Sequence, residues 1–159
     1  MTSSVIKVFN GYPCAHRQWA HAGHCSKVHG YQRRFVCTFV CELLDNRGWV
    51  IDFGGEEMKA IRKMLDSNFD HTLLVASDDP AIKLFREHDG DLWKLIELPY
   101  GPGMEGTARF VLEYINECIG HYTPGLLVRK VRCTRVEVWE NEKNCGAWDA
   151  QDPRGDEES

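Results

Sequence analysis

The sequence predicts an α+β fold with a largely antiparallel sheet, and three observations carry that expectation. Strand-like segments stand next to each other early in the chain and are joined by turn signals rather than by long helices. Two long helical segments then fall between strand pairs. The order of elements (two strands, helix, short helix, strand, helix, long strand) suits helices covering one face of a sheet. At 159 residues the chain fits a single domain with one core.

Residues 4–10 and 32–42 read as strands. In the second, Phe35, Cys37, Phe39 and Cys41 alternate, the period of a half-buried strand. "DNRG" at 45–48 is a turn signal, and "WVIDF" at 49–53 reads as the return arm of a hairpin. "EEMKAIRKMLDSNF" is helical: Met58, Ile61 and Leu65 share a stripe, and the acids of its first turn suit the helix dipole. Residues 79–88 read as a short helix, capped by Asp79 with Pro80 in the first turn. "LWKLIELPY" returns to strand. A second long helix is expected over 105–119, with Ala108, Val111, Ile115 and Ile119 on one side. A long strand is expected over 127–140, where Val136, Val138 and Glu140 share a face. The acidic end "DAQDPRGDEES" has few large apolar side chains and reads as an unstructured tail after a domain of 1–148.

Composition excludes some function classes. A net charge of −5 argues against nonspecific nucleic-acid binding, although a few local cations suffice for a phosphorylated small molecule. No apolar run is long enough for a membrane span and the start lacks a signal-peptide pattern, so a cytoplasmic location is expected. Seven scattered cysteines without a C-x-x-C pair read mostly as buried packing residues, with Cys25 the exception because it lies among histidines. Lys27, Arg33 and Arg34 also lie near those histidines, where the bland reading is a solvated strand face.

Four histidines fall within fourteen residues: His16, His21, His24 and His29. His29 and Tyr31 are two apart at the entrance of a strand, so alternation sends both side chains to one face, where His16 can pair alongside. Imidazoles converging in this way suit zinc, whose catalytic sites take three protein ligands and leave a fourth position open. Capping or surface histidines are the alternative. Cys25 lies four residues before His29, where a thiol can serve as proton acceptor or nucleophile. Asp70 beside His71 is the orienting half of a catalytic dyad or, more blandly, a surface pair. Glu140 ends an apolar strand face, either simply exposed or holding N–H groups of a ligand.

These residues occur in the order of one family. Through "AHR" (15–17), C-x-x-x-H-G (25–30), "GWVIDFG" (48–54), "FDHTLL" (69–74), P-x-x-E (102–105) and "VEVWEN" (136–141), the chain resembles the 6-pyruvoyl-tetrahydropterin / 6-carboxytetrahydropterin synthase family over about residues 4–148. The resemblance implies a T-fold: a four-stranded antiparallel sheet with two main helices on one face, assembled as a trimer or hexamer with active sites between subunits. It further implies a zinc-dependent lyase acting on 7,8-dihydroneopterin triphosphate. Position by position, His16 and His29 match zinc ligands, Cys25 the catalytic cysteine, and Asp70 with His71 the proton-relay pair. Glu140 matches the carboxylate that anchors the pterin, and Glu105 the acid of a Pro-Thr-Ser-Glu segment. The short gap between Cys25 and His29 resembles the branch forming 6-carboxytetrahydropterin for 7-deazaguanine (queuosine) synthesis. A pterin- or purine-binding relative with lost or altered catalysis, or an enzyme acting on another pterin side chain, is the alternative.

Two positions depart from the pattern. Tyr31 stands where the third zinc histidine is expected, and Gly103-Met104 replace Thr-Ser. Either Tyr31 ligates as phenolate, or His24 or His21 supplies the missing nitrogen, or the metal site is weak or empty. The density of imidazole in "HAGH" favours His24.

Overall fold

A computed structural model describes residues 2–122 and 124–151. Strand β1 (Ser3–His16) and strand β2 (His29–Cys41) form a long antiparallel hairpin, separated by an irregular segment with a 3-10 turn at His24–Ser26. Helix α1 (Glu56–Phe69) leads into β3 (Thr72–Ala76), helix α2 (Ile82–Glu87) and β4 (Leu95–Leu98). Helix α3 (Met104–Tyr122), the short α4 (Pro124–Val128), β5 (Arg132–Trp139) and β6 (Cys145–Asp149) complete the order. No described helix is long and apolar enough to cross a membrane.

The α+β class and the two main helices match expectation, but the sheet is larger and mixed. Six strands run in the order β4-β3-β1-β2-β5-β6. β1–β2, β2–β5 and β5–β6 are antiparallel, whereas β1–β3 and β3–β4 are parallel. The expected strand at 49–53 does not form, because β2 already has β1 on one side and β5 on the other and offers no free hydrogen-bonding edge. The "DNRG" turn is real, with the Asp45 carboxylate accepting from Arg47 and Trp49 N–H. Val50 and Ile51 beyond it tuck into the core as loop residues. The expected long strand over 127–140 is shortened at its start, since Lys130 takes a left-handed conformation (φ 53°) between α4 and β5. At the other end β6 reaches Asp149, and Ala150 N–H donates to Thr134 O, so ordered structure passes the boundary expected at 148. The remainder of the expected tail, 152–159, lies outside the described residues.

The core lies between one sheet face and the main helices. Phe35, Cys37, Phe39 and Cys41 are fully buried against Met58, Ile61 and Leu65 of α1 and Ala108, Val111, Ile115 and Ile119 of α3. Each such large apolar side chain contributes about 1.5–3 kcal/mol by leaving water. Five of the seven cysteines are buried, as their composition led one to expect. The short α2 covers the opposite face of β3, where Phe85 packs with Leu73 and Val75. The expected Asp79 cap does not form: α2 starts only at Ile82, with Ala81 as its N-cap and no side-chain cap bond. Asp79 Oδ1 instead accepts from Ala81 N–H in the preceding turn, while Arg17 grips both carboxylate oxygens at 2.7 and 3.0 Å. Because Asp79 is 1% exposed, Asp79→Ala leaves the Arg17 guanidinium and the Ala81 N–H without their acceptor. The expected loss is about 2–4 kcal/mol, measurable by urea unfolding.

One close approach positions the functional end of the sheet. A side chain added at Gly106 would strike Tyr100 O and stand 2.7 Å from Gly101 O. Its absence lets the turn at 100–103 lie against the start of α3. Gly106→Ala should cost about 1–3 kcal/mol or more by forcing two backbones apart, read as a lowered melting temperature.

Candidate functional site

The pleat of β1 and β2 builds a polar ladder at one end of the core face. Cross-strand partners are His16 with His29, Cys14 with Tyr31 and Tyr12 with Arg33. All six side chains belong to the same face by alternation. The rings are in mutual contact: centroids lie 4.5 Å apart for His16–His29, 5.8 Å for His16–Tyr31 and 5.4 Å for His29–Tyr31. Glu140, just past β5, lies beside this ladder and brings Oε1 to 3.5 Å from His16 Nε2.

The residue that organises the cluster is one the sequence reading placed on a solvated face. Arg33 is 0% exposed. Its Nη1 donates to Thr107 Oγ1 (2.8 Å), and its Nη2 donates to Pro102 O (2.6 Å) and approaches His16 Nδ1 (3.3 Å) and Glu140 Oε1 (3.4 Å). Its Nε–H is buried without a partner. The signal that finds Arg33 was available: residues 29, 31 and 33 alternate onto one strand face, so accepting His29 and Tyr31 as site residues implicates Arg33 too.

Burial, the Arg33 charge and neighbouring His29 push His16 down to about 3, so its ring is neutral across the physiological range. A guanidinium has no lone pair to offer. The nitrogen facing it, Nδ1, is therefore the acceptor, and Nε2 carries the proton toward Glu140. His29 has the complementary arrangement, with Nδ1 2.7 Å from Lys27 O and hence protonated, leaving Nε2 as its acceptor. Burial pushes the Cys14 thiol up, with Arg33 opposing and Glu140 reinforcing the shift.

The other candidates are placed unevenly. Cys25 sits on the 3-10 turn, half-buried and free of any disulfide, with its carbonyl accepting from Gln18 N–H. His21 and His24 are exposed, and His21 Nδ1 accepts the Gly23 N–H at 2.9 Å, a local turn contact. Among the described residues no three His, Cys, Asp or Glu side chains gather closely enough to hold a metal ion, so the geometry gives His24 no place as a third ligand. Glu105 is exposed in the first turn of α3. Nothing in the structure explains the Gly103-Met104 departure: a Cβ at 103 would meet only the flexible end of Gln18, and the Met104 atom against Gly146 is a Cβ that serine shares.

Asp70 and His71 form the expected pair, with Oδ1 2.6 Å from Nδ1, and the His71 side chain is 83% exposed. The turn from α1 to β3 places His71 in the left-handed region (φ 55°), tied by its N–H to Pro13 O at 2.7 Å. His71 lines a groove of about 660 Å³ together with Pro13, Ala15, Gly30 and Gln32. Those strand residues alternate away from the His16 ladder, but the same groove is also lined by Cys14 and Tyr31 of that ladder.

The donor set does not match a three-nitrogen zinc centre. One imidazole is poised to ligate, the other has both nitrogens engaged, the third corner is a phenol, and a buried guanidinium stands beside them. The Glu140 carboxylate beside the ladder can accept the N–H groups of a planar polar ligand.

Comparison with known proteins places these features in context. The family model described as 6-pyruvoyl tetrahydropterin synthase matches residues 5–150. A 6-carboxy-5,6,7,8-tetrahydropterin synthase from Rickettsia typhi is 35% identical over 71 residues, covering 45% of this chain and 51% of that protein. A probable enzyme of the same name from Halobacterium salinarum is 34% identical over 85 residues, covering 53% and 52%. The matched stretch thus spans about half the length of these curated relatives. Among solved structures, an uncharacterized protein from Wolinella succinogenes aligns with a TM-score of 0.76 at 18% identity, over 95% of this chain and 99% of that one. The 6-pyruvoyl tetrahydropterin synthase of Caenorhabditis elegans aligns with a TM-score of 0.63 at 16% identity, over 95% and 97%. At these identities the structural likeness speaks for the fold.

Proposed function

Because the chain belongs to the 6-pyruvoyl tetrahydropterin synthase family, we propose that it is a pterin lyase of the 6-carboxytetrahydropterin synthase type. Its substrate is 7,8-dihydroneopterin triphosphate, and its product feeds 7-deazaguanine synthesis. The observation that carries this reading is the position of Glu140 at the end of β5, beside the His16 ladder and paired with a buried cation. A carboxylate there accepts the guanidine-like N–H pair of a pterin ring, a charge-assisted contact of the strong kind.

Cys25, on the turn that leads into β2, takes up a proton from the substrate side chain. The Asp70–His71 pair moves the proton onward, with Asp70 fixing the imidazole tautomer. We assign the pair to the active site of a neighbouring subunit in a homo-oligomer, a trimer or hexamer. Zinc would act in this chemistry as a Lewis acid on side-chain oxygens. The donor set does not fit it, so the steps assigned here run through side chains alone.

A second reading has its own observation. Tyr31 and the enclosed Arg33 fill the corner where a metal ligand was expected, which favours a pterin-binding relative with altered catalysis. Both readings require a pterin site. In a fluorescence titration with a reduced pterin, the wild-type protein is expected to saturate, and Glu140→Gln to bind about 10- to 100-fold more weakly. Equal affinity of the two proteins would remove Glu140 from the site.

A further inference from the structure

Arg33 and Tyr31 stand beside the two imidazoles of the ladder without being explained by a metal centre, and a single account covers both. Arg33 is enclosed by groups from four directions: His16 on β1, Glu140 past β5, Pro102 O in the turn, and Thr107 Oγ1 on α3. Such a guanidinium is permanently charged and cannot diffuse away. It already satisfies the imidazole lone pair and the carboxylate that a divalent cation would seek, since Nη2 faces both His16 Nδ1 and Glu140 Oε1.

We propose that this centre works without a metal and that the Arg33 guanidinium is its resident cation. Nη2 lies between His16 and Glu140 where a divalent ion would sit, but it is held by the chain. The Arg33 Nε–H is a buried donor without a hydrogen-bond partner among the described residues. Tyr31 then needs no metal-ligating role. Its ring packs on both imidazoles and closes the third corner. A metal at this point would meet a like charge across a desolvated gap, where screening is weakest. The inference rests on the pterin-site reading only for the ligand used in its test, a reduced pterin.

The test uses the full-length protein, stripped of metal with a chelator. Zinc is titrated in competition with a chromophoric chelator of micromolar affinity, and pterin binding is measured with and without EDTA on the same samples. The expected result is no zinc retained in competition at the centre and the same pterin affinity in both buffers. The double variant Tyr31→His with Arg33→Met restores a third imidazole and removes the cation. It is expected to bind zinc at least 100-fold more tightly than wild type, and to give visible cobalt(II) bands of nitrogen ligation. One equivalent of zinc held by the wild type and lost in His16→Ala would overturn the proposal, as would pterin binding abolished by EDTA and restored by zinc. A folded double variant that gains no zinc also counts against it, and if that variant fails to fold the wild-type titration still decides. Absence of pterin binding in every buffer sinks the pterin reading instead, and leaves the zinc result standing.

Discussion

Replacing Arg33 with methionine is expected to lower the unfolding free energy by about 3–5 kcal/mol, the cost of breaking a buried ion pair from one side. The side chain is 0% exposed, so no water replaces the lost bonds to Pro102 O and Thr107 Oγ1. Glu140, with its side chain 10% exposed, would lose its cation in a largely desolvated position. The measurement is a urea titration in the absence of ligand. A double-mutant cycle with Glu140→Gln separates the pair from the packing. Because the two residues share one network, the double variant should be more stable than the sum of the single losses predicts, by about 0.5–3 kcal/mol. A loss under about 0.5 kcal/mol for Arg33→Met would be the behaviour of an ordinary surface substitution and would contradict the enclosure.

Cys25→Ala is expected to have the largest effect on turnover, a fall of about 100- to 10,000-fold, as for removal of a general acid or base. The thiol sits half-buried on a 3-10 turn outside the core, so the fold should be nearly unaffected. Pterin affinity should remain close to wild type because recognition is assigned to Glu140. His71→Ala should reduce turnover in the same way. If the Asp70–His71 pair of one subunit serves Cys25 of the next, mixing the two inactive variants and allowing subunits to exchange should recover part of the activity. No recovery after demonstrated exchange would place thiol and relay in one chain, against the assignment of the pair to a neighbouring subunit.

Where the sequence pattern was regular, it located elements closely. Helix α1 begins and ends where the Met58–Ile61–Leu65 stripe and its leading acids put it. The alternation of Phe35, Cys37, Phe39 and Cys41 marked the buried face of β2. β3 was missed because "TLLVA" is an apolar run buried on both faces, as parallel strands are, and shows no period of two. β6 was missed because "CGAWD" is a short edge strand with little apolar content. The strand expected at 49–53 failed for a reason local reading cannot supply: both edges of β2 are taken by partners distant in sequence.

The candidate site shows the same division. His16, His29 and Tyr31 meet on one face as spacing required. What spacing could not supply was their surroundings. Arg33 is buried because α3 and the 100–103 turn close over it, and that closure depends on a glycine at 106, far along the chain. The richness of "HAGH" in imidazole likewise pointed to His24, which lies exposed on the 3-10 turn.

The central claim, a pterin lyase site built around Glu140 and Cys25, is tested most directly by incubating the purified protein with 7,8-dihydroneopterin triphosphate and following products by chromatography. The account predicts formation of 6-carboxytetrahydropterin, lost in Cys25→Ala. Unchanged substrate, under conditions where the protein demonstrably binds the pterin, would contradict it.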